Sequence, residues 1–321
     1  MIKTLILLVF LTLIEIIVFH YYIKHLKEKK YIQSVRELGP SSHFSKNGTP
    51  TAGGIIIIGF VIIDFITVKL INQYAFNFND LIFILTIILF GFLGLLDDKK
   101  IIKQKQNAGL RPRTKILIEC LFGIIIFLLL IRSNYNHTLN IFGYKLNLGI
   151  FSILFVIFYI IAWSNSFNIT DGLDGLAANL SLCIFLGMFI IGKFDKNQLL
   201  VISSLCLAFS VLGFLVFNFH PALVFMGNVG SHAIGAAIAI SAILTKKELV
   251  LVIMGLVFVF ETISVIIQVW YFKKTKGKRI FKMAPYHHHL ELSGYNEGSI
   301  SIILVLISFL LVIIGILLWG I

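Results

Sequence analysis

The chain has 321 residues, 58% of them hydrophobic, with a mean hydropathy of +0.97. Soluble globular domains hold about 45–50% apolar residues, so this composition excludes a soluble protein and points to the membrane. The net charge of +12 does not point to nucleic acid, because the basic residues are sorted by side rather than massed in one patch.

A spanning helix needs about 20 apolar residues. Ten such runs occur, near 2–23, 52–72, 80–96, 115–133, 148–164, 177–193, 198–217, 231–245, 249–271 and 299–320. They are continuous rather than alternating, which excludes a barrel. The first run is too long for a signal peptide, and no small-residue cleavage site follows it. The expected fold is therefore all-α, a polytopic membrane protein with about ten transmembrane helices in one domain spanning 1–321. No segment is duplicated. With ten spans, the loops near 24–50, 97–114, 165–176, 218–230 and 272–298 share one side. Together with Lys115 these loops hold 19 of the 27 Lys and Arg. The positive-inside rule makes that side cytoplasmic and puts both termini on the extracytoplasmic side. Cys120, Cys183 and Cys206 fall inside spans, without CxxC spacing or a nearby His, and read as small packing residues.

In chain order, the first polar signal is Lys46-Asn47-Gly48-Thr49-Pro50-Thr51-Ala52-Gly53-Gly54. It does not match GxxxxGK[ST] and is not a nucleotide P-loop. Asp97-Asp98 closes the third run and precedes Lys99, Lys100, Lys103 and Lys105. This is either a solvated helix end with a polybasic flank or a metal or base site beside a phosphate-binding patch. Adjacent carboxylates repel, so such a pair tends to share a proton or a cation.

The segment Asn165-Ser-Phe-Asn168-Ile-Thr-Asp171-Gly-Leu-Asp174-Gly-Leu-Ala177 carries two acids and two amides between two apolar runs. Acids at a bilayer edge are costly unless they face water, a partner or a metal. A helix cap accounts for one Asp but not for two together with Asn165 and Asn168. Further on, Met226-Gly227-Asn228-Val229-Gly230-Ser231 is a glycine-bearing loop that opens a helix, either an anion cradle or a plain reentrant turn. The last loop on the basic side holds Gly277-Lys278-Arg279-Ile280-Phe281-Lys282-Met283-Ala284-Pro285-Tyr286-His287-His288-His289. Three adjacent histidines cannot share one helical face, which argues against a zinc site and for contacts to phosphate or sugar oxygens.

These motifs together resemble the phospho-N-acetylmuramoyl-pentapeptide transferases, a branch of the polyprenyl-phosphate sugar-1-phosphate transferases. The resemblance covers essentially the whole chain and rests on GTPTAGG at 48–54, Asp97-Asp98, NxxNxxDGLDGLA at 165–177, NxxPAxVFMG at 218–227 and GKRIFKMAPYHHHLE at 277–291. It implies transfer of phospho-MurNAc-pentapeptide from UDP-MurNAc-pentapeptide to undecaprenyl phosphate, giving lipid I and UMP. That reaction would use Mg2+, at the cytoplasmic face of a bacterial plasma membrane, in a homodimer. It implies catalytic roles for Asp97, Asp98, Asp174 and His287. The implied substrate-binding residues are Lys46, Thr51, Lys105, Lys115, Asn165, Asn168, Asp171, Asn218, Phe225, Gln268, His288 and His289. The implied metal ligands are Asp98, Asp174 and position 228.

Position 228 departs from the family pattern MGDxGSLxLG, reading MGNVGSHAIG, so Asn228 replaces the expected aspartate and His232 an apolar residue. An amide oxygen can coordinate Mg2+ but brings no charge. An enzyme with a retuned metal site, a paralogue with another substrate and a weakened copy all fit this change, and the intact remaining motifs favour the first. Two rivals differ in their requirements. A transferase passing GlcNAc-1-phosphate would not need the histidine run. A secondary transporter would need acids paired in broken mid-membrane segments, a pattern that Asp64 and Glu261 do not form.

Overall fold

The computed structural model describes residues 1–29, 31, 32, 46, 48–104, 109–141 and 143–320. Twelve α-helices occur among them: α1 (Ile2–Glu28), α2 (Gly54–Ile71), α3 (Phe78–Gln104), α4 (Pro112–Arg132), α5 (Ser152–Thr170), α6 (Leu176–Phe194), α7 (Gln198–Asn218), α8 (Gly227–Thr245), α9 (Glu248–Met254), α10 (Leu256–Lys274), α11 (Tyr286–Glu291) and α12 (Glu297–Trp319). All but α9 and α11 are long and apolar enough to cross a membrane, which gives the ten expected spans.

The centre of the bundle is α8. Its run of Gly and Ala (Gly230, Ala233, Gly235, Ala236, Ala237, Ala239, Ala242) is almost wholly buried. Without large side chains to hold neighbours off, α3 and α5 pack directly against it, as small-residue helices do in bilayers. A Cβ at Gly94 of α3 would lie 2.1 Å from the Asn228 carbonyl oxygen, and one at Gly235 would lie 2.6 Å from the Trp163 carbonyl oxygen of α5. The peripheral helices α1, α4 and α12 instead expose rows of large apolar side chains, such as Ile6, Phe10, Leu13 and Ile17 on α1. Lipid is the solvent for such faces.

Two local features interrupt the plain run of spans. The run at 249–271, expected as one span, is broken into α9 and α10 at Gly255. A Cβ there would sit 2.2 Å from the Trp163 ring, so the break lies where the indole leaves room for glycine alone. The stretch 134–147, between the fourth and fifth spans, contains a short antiparallel hairpin, β1 (Thr138–Ile141) with β2 (Tyr144–Asn147), in which Thr138 pairs with Asn147 and Ile141 with Tyr144.

Contacts between helix ends sort into two sets, as successive antiparallel spans require. At one end, Thr4 of α1 meets Asn72 after α2, Lys69 of α2 meets Asp80 of α3, and Asp195 after α6 meets Lys247 and Trp319. At the other end lie the starts of α2, α8 and α12 and the ends of α3, α5 and α7. The polar motifs gather there.

Candidate active site

The acids at 97 and 98 do not end α3. The helix runs on to Gln104, so both acids lie within it and point in different directions. Asp98 faces the start of α8, where its Oδ1 accepts from the Asn228 N–H and its Oδ2 from the Val229 N–H, both at 3.1 Å. It thereby caps a helix whose positive dipole end favours a carboxylate. Gly227, at φ +74°, makes the turn into α8, and a Cβ there would lie 2.7 Å from Asp98 Oδ2 and 2.8 Å from Thr51 Oγ1. Asp97 turns toward α4. Its Oδ1 accepts from the Leu110 N–H at 2.5 Å, and its Oδ2 accepts from Asn228 Nδ2 at 3.1 Å and faces Lys115 Nζ at 3.5 Å. Both acids are buried.

The start of α2 is sewn to the same place by its backbone. Gly53 and Gly54 donate to the carbonyls of Phe225 and Met226 at 2.9 and 2.8 Å, while Phe225 donates to Pro50 at 2.8 Å. A Cβ at Gly54 would lie 2.2 Å from the Gly230 Cα. The Thr51 hydroxyl is buried beside Gly227 and finds no hydrogen-bond partner among the described residues.

Helix α5 extends to Thr170, so Asn165 and Asn168 are helical rather than in the expected loop at 165–176. Asn168 Nδ2 donates to Asn228 Oδ1 at 2.6 Å and to Ser231 Oγ at 2.8 Å. Asn165 Nδ2 donates to Glu119 Oε1 at 2.8 Å and to the Ile161 carbonyl. Beyond the helix, Asp171 lies in the field of both acid groups. Desolvation, then the Asp98 and Asp174 carboxylates, push its pKa up to about 7 against the pull of Lys46.

Asp174 sits in a second cluster. Its Oδ1 pairs with Lys46 Nζ at 2.8 Å, and its Oδ2 accepts from the Ala222 N–H at 3.0 Å and faces His220 Nδ1 at 3.0 Å. Glu297, at the start of α12, contacts Lys46 Nζ at 2.6 Å and accepts from the Asp174 N–H. Ligand atoms of Asp174, His220 and Glu297 lie within 4.8 Å of one another, so this group could hold a metal ion.

Other expected substrate residues are spent on holding loops. Asn218 Oδ1 accepts from the Gly175 N–H at 3.0 Å and its Nδ2 donates to the Val224 carbonyl at 2.9 Å. Gln268 accepts from the Ile280 and Phe281 N–H groups and donates to the Phe281 carbonyl. In the histidine run, the three rings have separate partners, as their adjacency requires. His289 Nδ1 accepts from the Lys282 N–H, and His288 Nδ1 faces Glu291 at 2.7 Å. His287 is fully buried and its Nδ1 faces Glu261 Oε2 at 3.1 Å. Its Nε2 has no hydrogen-bond partner among the described residues and is turned toward the acid-bearing loop, where a Cβ at Gly172 would come within 2.4 Å. Lys105 lies outside the described residues.

The donors fit a divalent cation. Asp98, Asp171 and Asp174 with the amide oxygen of Asn228 are hard oxygen donors, and burial, then the neighbouring Asp98 and Asp174 carboxylates, raise the Asp171 pKa to about 7. Asn228 is committed through both side-chain atoms, to Asp97 and Asn168. His232 does not join it. That ring is fully buried with Nδ1 on Ser164 Oγ at 2.7 Å.

Sequence reasoning missed Glu297, Glu119 and the pairing of His220 with Asp174. Glu297 and Glu119 are single acids at helix ends or on helix faces with no motif around them. The only available signal was their position on the basic side of the topology.

The model for glycosyl transferase family 4 matches residues 81–246. A phospho-N-acetylmuramoyl-pentapeptide-transferase of Listeria welshimeri serovar 6b is 41% identical over 281 residues, 87% of this chain and 86% of that protein. One from a Geobacillus species is 42% identical over 308 residues, 95% and 94% of the two chains. One from Oceanobacillus iheyensis is 39% identical over 307 residues, with the same two shares. The buried acids, the capped start of α8 and the histidine run thus sit in a chain that belongs to the phospho-N-acetylmuramoyl-pentapeptide-transferase family, within glycosyl transferase family 4.

Proposed function

We propose that this chain transfers phospho-MurNAc-pentapeptide from UDP-MurNAc-pentapeptide to undecaprenyl phosphate, releasing UMP and forming lipid I. The observation that carries the reading is the meeting of two acid motifs from distant parts of the chain. Asp98 caps α8, and Asp171 lies under the influence of both Asp98 and Asp174. Such a site, with Lys46 and Lys115 at its edges, suits a phosphate from the bilayer meeting a diphosphate from water.

In this reading an oxygen of the lipid phosphate attacks the sugar-bound phosphorus, the bond from that phosphorus to the bridging oxygen breaks, and UMP leaves with the electron pair. A phosphate monoester is already a nucleophile, so positioning and charge neutralisation supply most of the catalysis and direct attack suffices. Mg2+ would be held by Asp98, Asp171 and Asp174 with the Asn228 amide, and when bound would offset charge on the diphosphate. Asp97 and Lys115 orient the lipid phosphate. Lys46, Thr51, Asn168, Phe225 and the loop pinned by Gln268 bound the nucleotide-sugar pocket, with His287 Nε2 facing into it, while Asn165 and Asn218 fix its walls. We place this face in the cytoplasm of a bacterial cell, both termini outside, and the chain in a homodimer.

The deciding experiment incubates the purified protein with undecaprenyl phosphate, Mg2+ and either UDP-MurNAc-pentapeptide or UDP-GlcNAc. UMP release with the muramoyl substrate is the expected result. Release with UDP-GlcNAc alone would assign a related sugar-phosphate transferase instead.

A further inference from the structure

Glu297 stands 123 residues from Asp174 in the chain, yet its carboxylate joins segments from across the sequence. It contacts Lys46 Nζ at 2.6 Å, accepts from the Asp174 backbone N–H, and its second oxygen is 3.5 Å from His220 Nδ1. The same Lys46 ammonium lies 2.8 Å from Asp174. Side-chain exposure is 11% for Lys46, 9% for Glu297 and 2% for Asp174, so these charges are largely out of water and screened little by salt. A free lysine samples many rotamers, and one held between two carboxylates does not. The Glu297 backbone is itself fixed, because it opens a 23-residue helix whose Asn296 cap accepts from the Ser299 N–H at 2.7 Å. The start of one long helix thus holds both the Lys46 ammonium and the loop carrying Asp171 and Asp174.

We infer that Glu297 is a positioning residue for the diphosphate end of the nucleotide sugar, acting through the Lys46 ammonium and the Asp174 backbone. The inference rests on the proposed transferase reading, in which Lys46 meets that diphosphate. Its role is local to one substrate. The lipid phosphate approaches through Asp97 and Lys115, which Glu297 does not touch.

The test is steady-state UMP release by the full chain in detergent, with each substrate varied in turn. Glu297→Gln keeps the size of the side chain but removes its charge. It is expected to raise KM for UDP-MurNAc-pentapeptide about tenfold while leaving KM for undecaprenyl phosphate within about twofold. In a Lys46→Met background the same change is expected to add less than about twofold, because the residue it acts through is gone. Glu297→Asp keeps the charge with a shorter reach and should fall between wild type and Gln. The same nucleotide-selective rise read on Asp decides the matter if the Gln variant does not fold. Unchanged kinetics, equal shifts in both KM values, or full additivity with Lys46→Met would overturn the inference and leave α12 anchoring as the role of Glu297. No UMP release from the unaltered protein would overturn the transferase reading itself.

Discussion

The Asn228 side chain donates its amide N–H to Asp97 Oδ2 at 3.1 Å while its oxygen accepts from Asn168 at 2.6 Å. A carboxylate at 228 has no proton to donate to Asp97. Asn228 therefore offsets part of the charge on Asp97 through a hydrogen bond that an ionised carboxylate at this position would not make.

Asn228→Asp would set two carboxylates about 3 Å apart, a repulsion on the order of 5 kcal/mol at an effective dielectric near 20. The variant is expected to melt at a lower temperature than wild type in chelator and to gain more from added Mg2+, since ligand binding to the folded state stabilises it. It should also need less Mg2+ for half-maximal rate. Thermal unfolding across a Mg2+ titration checks this, and identical curves for the two proteins would remove position 228 from the metal site.

Asp98 has a structural duty beside the chemical one proposed for it. Asp98→Asn keeps the shape but weakens the cap on α8, with an expected stability loss of about 1–2 kcal/mol. Turnover should fall by at least about a hundredfold, because charge placed where the reaction needs it is lost. Asp174→Asn should likewise abolish turnover. Both variants should still insert, and near-normal UMP release from both would take the acids out of the mechanism.

The close approach of α3 to α8 allows no side chain. Gly94→Ala would drive a Cβ to 2.1 Å from the Asn228 carbonyl oxygen, which is backbone and cannot rotate away. Overpacking costs about 1–3 kcal/mol where side chains can shift, and more where they cannot. Loss of monodisperse protein on size exclusion, or a melting temperature lowered by several degrees, is expected.

Far from the site, Glu248 gives a pH signature of stability. It is buried at the start of α9, its oxygens accept no hydrogen bond among the described residues, and Lys246 Nζ is 4.0 Å away. Burial raises its pKa from an ordinary 4.5 to about 7, against the pull of its own backbone N–H and of Lys246 and Lys247. The folded state thus binds the proton more tightly than the unfolded one. Its contribution to stability is present below pH 4.5 and is lost as pH rises to about 7. Glu248→Gln should therefore raise the melting temperature at pH 8 relative to wild type and change it little at pH 5. An equal shift at both values would show that Glu248 is ionised throughout.

The ten spans were legible from composition and run length, because a bilayer demands about 20 apolar residues of any helix that crosses it. The acid and amide motifs stood out for the same reason, since polar groups are rare where burial in lipid is costly. Their sequence spacing did not reveal that α3 and α5 continue past the expected boundaries to Gln104 and Thr170. Helix ends are set by the partners that satisfy the last backbone groups, and those partners lie elsewhere in the chain.

By itself, the sequence determined the class, the number of spans, the clustering of polar residues toward one side and the family. Tertiary structure alone decided how the acids are divided. Asp97 and Asp98 are neighbours in sequence but diverge, to α4 and to the start of α8. Asp174 joins Lys46, His220 and Glu297 instead. The physical reason is that a charge out of water must find opposite charge or hydrogen-bond donors, and those come from whichever helix ends the packing of the small-residue helix α8 brings alongside.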